Sequence, residues 1–441
     1  MSGTEADRDA MSWLSSLQSR GWRTSLDEMR TAMQRLGNPE LGLTAVHVAG
    51  TNGKGSVCAM AASILKAAGK KAGLYTSPHL MDIRERITID GRQIDSSKLA
   101  ELTRRARGVL EESGPATELS FFEFITAIAF MHFAEVEVDV AVLETGFGGR
   151  LDATNVLPSS VATITQIGLD HTEYLGKTIE EIASEKAGII KEGCGVVSST
   201  GDASAARVVR ERASNLGCSL MELGKDFRAT DVRADLQGTS FDFEGERRLR
   251  GLKTNLLGKH QAENAATAIS AVDMLAKWKG FEIEDDDIKR GLAEVAWPGR
   301  MEIVSKNPLM ILDCAHNPSA VGRAMSSMSE LGITPDTIIF AASRDKDYRM
   351  NASILFPKAK RLVLTRYGSQ RSIEQEILAK LPEASDKTIF IAEDVSEAME
   401  VARDVTNADE TILIIGSVFL VGDALSWMRH GRKADLSMAG F

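Results

Sequence analysis

The strongest constraint on the fold lies near residue 50. An apolar run, Thr44–Val48, passes directly into Gly50-Thr51-Asn52-Gly53-Lys54-Gly55-Ser56, and the helical pattern SVCAMAASILKAAG follows at once. A strand, a glycine-rich loop and a helix in that order turn backbone N–H groups toward a phosphate, with the helix N-terminus behind them. Lys54 adds a mobile positive charge, and Ser56 offers a hydroxyl to a phosphate or its metal. The strict pattern G-x-x-x-x-G-K-[ST] is not met. Val48 stands at its first glycine, and Gly55 separates Lys54 from Ser56. The plainer alternative is a glycine-rich turn with a chance lysine.

The rest of the chain supports an α/β fold with a parallel sheet. Apolar runs TAVHVAG, KAGLYTS, VDVAVLETG and VATITQIG alternate with helical stretches such as FFEFITAIAFMHFAE. Alternation of this kind puts helices on both faces of a mostly parallel sheet. Thr178, with Glu181 three residues on, forms a capping box at the start of TIEEIASEKAGIIK. Residues 1–10 read as a loose tail and 11–36 as helical. The segment 227–258 alternates in short pieces broken by Gly238, Gly245 and Gly251, which predicts antiparallel strands at the sheet margin. After the acidic run EIEDDDIKR and the turn Trp297-Pro298-Gly299-Arg300, a second series begins: LMILDCA, TIIFAAS, RLVLT, TIFIA and TILIIGS. The expected architecture is therefore two domains. Residues 1–296 would form a P-loop-type, mostly parallel sheet domain, and 297–441 a smaller Rossmann-like α/β domain. The cleft between them would hold the chemistry.

Composition narrows the function classes. Of 441 residues, 52 are Lys or Arg and 62 are Asp or Glu, a formal net charge of −10. A dedicated nucleic-acid or anionic-membrane binder needs a basic face, so neither partner is expected. The N-terminus lacks the plan of a signal peptide, and no apolar run is long enough to span a bilayer. Cys58, Cys194, Cys218 and Cys314 are scattered without a CxxC pair, which favours a reduced, cytoplasmic setting over a zinc site.

Three residues at predicted strand ends share the edge that carries the phosphate loop: Ser77, Glu144 and His171. Mg²⁺ favours oxygen ligands and usually sits on nucleotide phosphates, so these are candidate metal ligands. Glu144 leads into the glycine-rich turn Gly146–Gly149, with Arg150, Leu151, Asp152 and Ala153 behind it. An arginine at such a crest suits a carboxylate-bearing ligand; the alternative is an arginine paired with an acid on the surface. Lys186 reads, by periodicity alone, as an ordinary exposed helix lysine.

Taken in order, HVAGTNGKGSV, SPHL with ERITIDG, FFEFITAIAF, VLETGFGGRLDATNV, IGLDHTEYLGKTIEEIASEKAGIIK, LLGKHQAENAA, WPGR and LDCAHNP resemble the folylpolyglutamate synthase/dihydrofolate synthase family, a branch of the Mur ligase superfamily. The stretches Ser343–Asp347 and Gly416–Gly422 fit the same pattern. The resemblance implies an ATP-dependent amide ligase, expected as a monomer, that joins L-glutamate to a folate or dihydropteroate carboxylate through an acyl phosphate. It implies that Thr51, Asn52, Gly53, Lys54, Gly55 and Ser56 cradle ATP phosphates, and that Asn264, Arg300 and Asp313 contact the nucleotide. Ser77, Glu144 and His171 would hold Mg²⁺, and Lys186 would be carboxylated on its side-chain nitrogen. His316 would lie near the phosphates. Phe121, Phe122 and Arg150–Ala153 would flank the pterin-bearing substrate. Phe147, Thr145 and Cys314 depart from the family's usual residues. Two rival functions are a cell-wall Mur-type amino-acid ligase and a P-loop ATPase that is not a ligase. A dinucleotide oxidoreductase is disfavoured, because no G-x-G-x-x-G follows a strand.

Overall fold

The computed structural model describes residues 4–21, 25–112, 118–369 and 371–431. Eight strands build the larger sheet: β1 (Ala45–Ala49), β2 (Ala72–Tyr75), β3 (Ile87–Ile89), β4 (Arg92–Gln93), β5 (Val140–Glu144), β6 (Val161–Ile164), β7 (Gly195–Ser198) and β8 (Ser219–Glu222). Their spatial order is β4-β3-β2-β5-β1-β6-β7-β8. The pairs from β2 through β8 are parallel, and β3 and β4 close one edge antiparallel. All five residues of β1 and of β5 are buried, as expected of central strands covered on both faces. The helix Lys54–Ala67 lies on one face through Val57, Met60, Ile64 and Leu65; the apolar helix Phe121–Val136 covers the other through Phe124, Ile128 and Phe133.

A second, smaller α/β unit carries six strands: β12 (Glu302–Lys306), β13 (Leu309–Asp313), β14 (Thr337–Phe340), β15 (Arg361–Leu364), β16 (Thr388–Ile391) and β17 (Thr411–Ile415). They run in the order β12-β13-β17-β14-β15-β16, with only β12 antiparallel. The five apolar runs after residue 300 are β13 to β17, and the mostly parallel two-sheet architecture is as expected.

Three details differ. The segment 227–258 does form antiparallel strands, β9 (Arg228–Asp235), β10 (Gly238–Glu244) and β11 (Arg248–Thr254), but they make a sheet of their own, not a margin of the large one. Phe241, Phe243, Leu249 and Leu252 give this sheet one apolar face, buried in the same core as the helix His260–Lys279. Residues 4–10 are not a loose tail, and residues 1–3 lie outside the described residues. Thr4 and Asp7 form a capping box for a helix Glu5–Ser16, and Leu14 is fully buried. The helical stretch 11–36 is two helices, Glu5–Ser16 and Asp27–Arg35, with a 3₁₀ turn Leu17–Ser19 and Gly21 between them; residues 22–24 lie outside the described residues. Among the described residues, no helix is long and apolar enough to cross a membrane.

Candidate functional site

The carboxyl ends of β1, β2, β5 and β6 face those of β13, β14, β15 and β17 across a cleft. Two connected cavities occupy it. One, of about 490 Å³, surrounds the phosphate loop. The other, of about 1360 Å³, extends between the two lobes. Ser77, Arg86, Phe147, His171, Asp345 and Lys346 line both, so they mark the junction where the contents of the two cavities meet.

The loop Gly50–Ser56 is held from behind by the segment after β6. The amides of Thr51 and Asn52 both donate to the Gln166 carbonyl, at 2.8 and 3.2 Å. Thr165 Oγ1 donates to the Asn52 carbonyl at 2.8 Å. Gly53 takes φ +87° to open the helix, and a Cβ there would lie 2.6 Å from Asn264 Oδ1. A Cβ on Gly55 would strike the Trp297 ring at 2.5 Å. Both glycines are therefore needed, one for conformation and one for close approach. The extra glycine of the loop makes room for the tryptophan of the inter-domain turn.

Lys54 Nζ lies 3.9 Å from Glu144 Oε1, and Glu144 Oε2 accepts from the Ser77 amide at 3.2 Å. Burial pushes the Glu144 carboxyl above its ordinary pKa, and Lys54 pulls it back. Ser77 and Glu144 are thus brought together. His171 lines the same cavity but faces a different partner: its Nε2 accepts from Lys346 Nζ at 2.8 Å. Burial lowers its pKa to about 4 despite Asp170 beside it, so the ring is neutral near pH 7. Among the described residues, no three His, Cys, Asp or Glu side chains gather as a ready-made metal cage. A hydroxyl, a carboxylate and a neutral imidazole around a phosphate site do fit Mg²⁺, which completes its shell with phosphate oxygens and water.

Lys186 is not the exposed lysine that periodicity suggested. It is 5% exposed, and its Nζ donates to the Gly50 carbonyl at 2.8 Å. Burial, aided by the charge on Lys54, depresses its pKa to about 7. Glu185 points elsewhere and pairs with Arg150 at 2.8 Å. That pairing removes Arg150 from the cavities: it is a surface arginine tied to an acid, and the carboxylate-binding role expected of it has no support in its position. Asp152 is buried, and its carboxylate accepts from the Phe147 amide at 2.7 Å and the Thr154 amide at 3.0 Å. It shapes the turn from inside. Phe121, Phe122, Leu151, Asp152 and Ala153 all line the larger cavity.

The second lobe brings Asp313 and His316 to the lining of the phosphate cavity. Asp313, at the end of β13, accepts from the amides of Met301 and Ala315, each at 2.8 Å, and so fixes the linker that carries Arg300. His316 Nδ1 lies 2.9 Å from the Cys314 carbonyl. A carbonyl only accepts, so Nδ1 carries the proton and Nε2 keeps its lone pair. Burial, with the Lys346 charge, brings His316 to about pKa 4. Asn264 and Arg300 line the phosphate cavity beside it.

The sequence assigns no role to Arg86, Lys346, Asn317 or Arg323, although the first three lie in stretches that carry the resemblance. Arg86 is the most telling. It is 8% exposed, donates from Nε to His79 Nδ1 at 2.8 Å and lies over the Phe121 ring at 5.4 Å. Among the described residues, no carboxylate forms an ion pair with it. The phosphate cavity is lined by seven basic side chains, Lys54, Arg86, Lys186, Arg300, Arg323, Lys346 and Arg371, against four acidic ones. In a chain of net charge −10, that local excess selects a polyanion.

A polyanion cavity that opens into a larger substrate cleft between two lobes suits phosphoryl transfer from nucleotide to a bound carboxylate. That is the working principle of ATP-dependent ligases, and the chain is one. The model of the Mur ligase middle domain matches residues 48–272, and that of the Mur ligase glutamate ligase domain matches 299–418. The chain is 35% identical over 426 residues to the dihydrofolate synthase/folylpolyglutamate synthase of Bacillus subtilis, covering 95% of this chain and 98% of the relative. It is 35% identical over 409 residues to the folylpolyglutamate synthase of Lacticaseibacillus casei, covering 91% and 94%. Among solved structures, the Mycobacterium tuberculosis folylpolyglutamate synthase complexed with ADP superposes with TM-score 0.86 at 30% identity, covering 95% of this chain and 98% of that one. The Escherichia coli FolC complex with DHPP and ADP gives TM-score 0.84 at 30% identity, covering 96% and 98%. The chain belongs to the folylpolyglutamate synthase/dihydrofolate synthase family. The cell-wall ligase and the non-ligase ATPase are not favoured.

Proposed function

We propose that this enzyme joins L-glutamate to the carboxylate of a folate or dihydropteroate at the expense of ATP, with the site residues in the following roles. The loop Thr51–Ser56 cradles the phosphates, and Lys54 neutralises them. Asn264, Arg300, Asp313 and His316 complete the nucleotide site from the helix His260–Lys279, the linker and the second lobe. Ser77, Glu144 and His171 hold Mg²⁺, which when bound screens the charge of the phosphates. Lys186 carries a carboxylate derived from CO₂. Phe121, Phe122, Leu151, Asp152 and Ala153 flank the aromatic part of the substrate. The domain boundary falls at 296/297, within the turn that Trp297 anchors against Gly55.

The observation that carries this reading is Arg86 at the junction of the two cavities. Its guanidinium is buried and, among the described residues, in an ion pair with no carboxylate; Glu144 and Glu85 act on it only through space, so its charge is open to an anionic ligand. A substrate carboxylate approaching the terminal phosphate passes through that junction. Arg86 orients it, the γ-phosphate goes to the carboxylate oxygen, and ADP leaves. The glutamate amine then attacks the acyl carbon, and phosphate departs. The lobes exclude water that would hydrolyse the acyl phosphate. Two measurements test the proposal. Purified enzyme with ATP and glutamate is offered dihydropteroate or tetrahydrofolate, and the products are weighed; no glutamylated product from either would refute the substrate class. Arg86→Met should raise KM for the pteridine substrate about tenfold or more while leaving KM for ATP near its original value. Equal effects on both would remove Arg86 from carboxylate recognition.

A further inference from the structure

The two lobes are tied at the site by side chains with other uses. Asn317 Nδ2 donates to Asn52 Oδ1 in the phosphate loop at 3.1 Å and to Asp170 Oδ2 at 3.2 Å. Arg323 donates to Gln166 Oε1, beneath the same loop. Lys346 Nζ donates to Asp170 Oδ1 at 2.9 Å and to His171 Nε2 at 2.8 Å. The Lys346 and Asp170 side chains are only 10% and 12% exposed, so water screens this pair weakly.

The contact between Lys346 and His171 has a chemical consequence. A neutral imidazole nitrogen has one lone pair in the ring plane. An ammonium that donates to it and a divalent cation that it ligates need the same lone pair. We propose that Lys346 is a positioning residue that competes with the divalent cation for His171 Nε2, so that metal binding and the Lys346–His171 bond between lobes exclude each other. When the cation takes His171, Lys346 keeps Asp170 within reach, and its ammonium is free to turn toward the phosphate cavity that it already lines. The second lobe thus senses the metal through one lysine, while Asn317 holds the phosphate loop by an independent bond.

This proposal rests on the reading of His171 as a metal ligand, and the test separates the two. The probe is Mn²⁺ in the presence of ADP, its affinity for the full-length protein measured by electron paramagnetic resonance. His171→Ala should weaken binding. Lys346→Met should tighten it about tenfold, because both a competitor and a nearby positive charge are gone. Lys346→Gln, which keeps a donor without the charge, should also tighten it. Lys346→Arg should stay within about twofold of the original, since a cation remains. Unchanged affinity in His171→Ala would sink the metal reading itself. Weaker binding in His171→Ala, with unchanged or weaker binding in both Lys346→Met and Lys346→Gln, would leave that reading standing and overturn the competition.

Discussion

Lys186 offers the sharpest test of the site's chemistry. A carbamate forms when a neutral amine attacks CO₂ and gives up a proton. An ordinary lysine is neutral about once in three thousand at pH 7. With its pKa brought from 10.5 to about 7, Lys186 is neutral about half the time. Burial has therefore raised the reactive fraction by roughly three orders of magnitude, at a cost on the order of 5 kcal/mol for charging the amine in the folded chain. The sign of the stability effect follows. Below pH 7 the folded and unfolded chains both carry the proton, and the penalty is present in full. Between about 7 and 10.5 the unfolded chain holds the proton and the folded chain has released it, so this group makes stability rise with pH across that window. Enzyme stripped of CO₂ at pH 6 should lose most of its turnover and regain it with bicarbonate near pH 8. Native mass spectrometry should show the gain of one CO₂, lost in Lys186→Arg. Lys186→Ala should fold and lose about a hundredfold or more in kcat. Full activity in CO₂-free buffer, or Lys186→Arg within about threefold of the original enzyme, would refute the modification.

Lys54→Ala should abolish ligation with little change in Tm, because the ammonium's ion pair with Glu144 is long, at 3.9 Å; near-normal turnover would remove the loop from the mechanism. A fragment of residues 1–296 lacks Arg300, Asp313, His316 and Lys346 and should show no turnover with ATP, glutamate and pteroate substrate; an active fragment would overturn the two-lobe site. Leu14→Ala should cost about 3 kcal/mol in denaturant unfolding, since Leu14 is fully buried. A change near zero would mean that the N-terminal helix contributes no packing.

Much of this was legible from the sequence for a physical reason. β1, β5, β13, β14 and β17 are short runs in which all residues but one are apolar, which is what burial on both faces demands. The capping box of Thr178 and Glu181 is local and forms as read. Lys186 was misjudged although the signal was present: Ile182 and Ala183 lie four and three residues before it, and all three share the buried side of a nine-residue helix. Arg86 and Lys346 could not be read locally. Arg86 matters because, among the described residues, no carboxylate closes an ion pair with it, and Lys346 because its partners lie 175 and 176 residues away. Arg150 illustrates the converse, since a glycine-rich setting promised a ligand and Glu185 claimed the guanidinium. The segment 227–258 showed alternation and hence one buried face, but alternation does not say which sheet a strand joins.

The register of β1 against β5, with Val48 opposite Glu144, sets how this protein can change over evolutionary time. One residue added within β5 would turn every later side chain to the opposite face. Glu144 would leave Lys54 and Ser77, and a chain still able to fill its core would have lost its chemistry. Point substitutions in these strands can be graded and repaired, whereas length changes there have no intermediate. Length can drift where register ends: at the hairpin between β9 and β10, Leu236 is half exposed and far in sequence from any residue of the cleft. A library of single-residue insertions should therefore divide sharply, with functional members gathered at such turns and absent from β1 and β5.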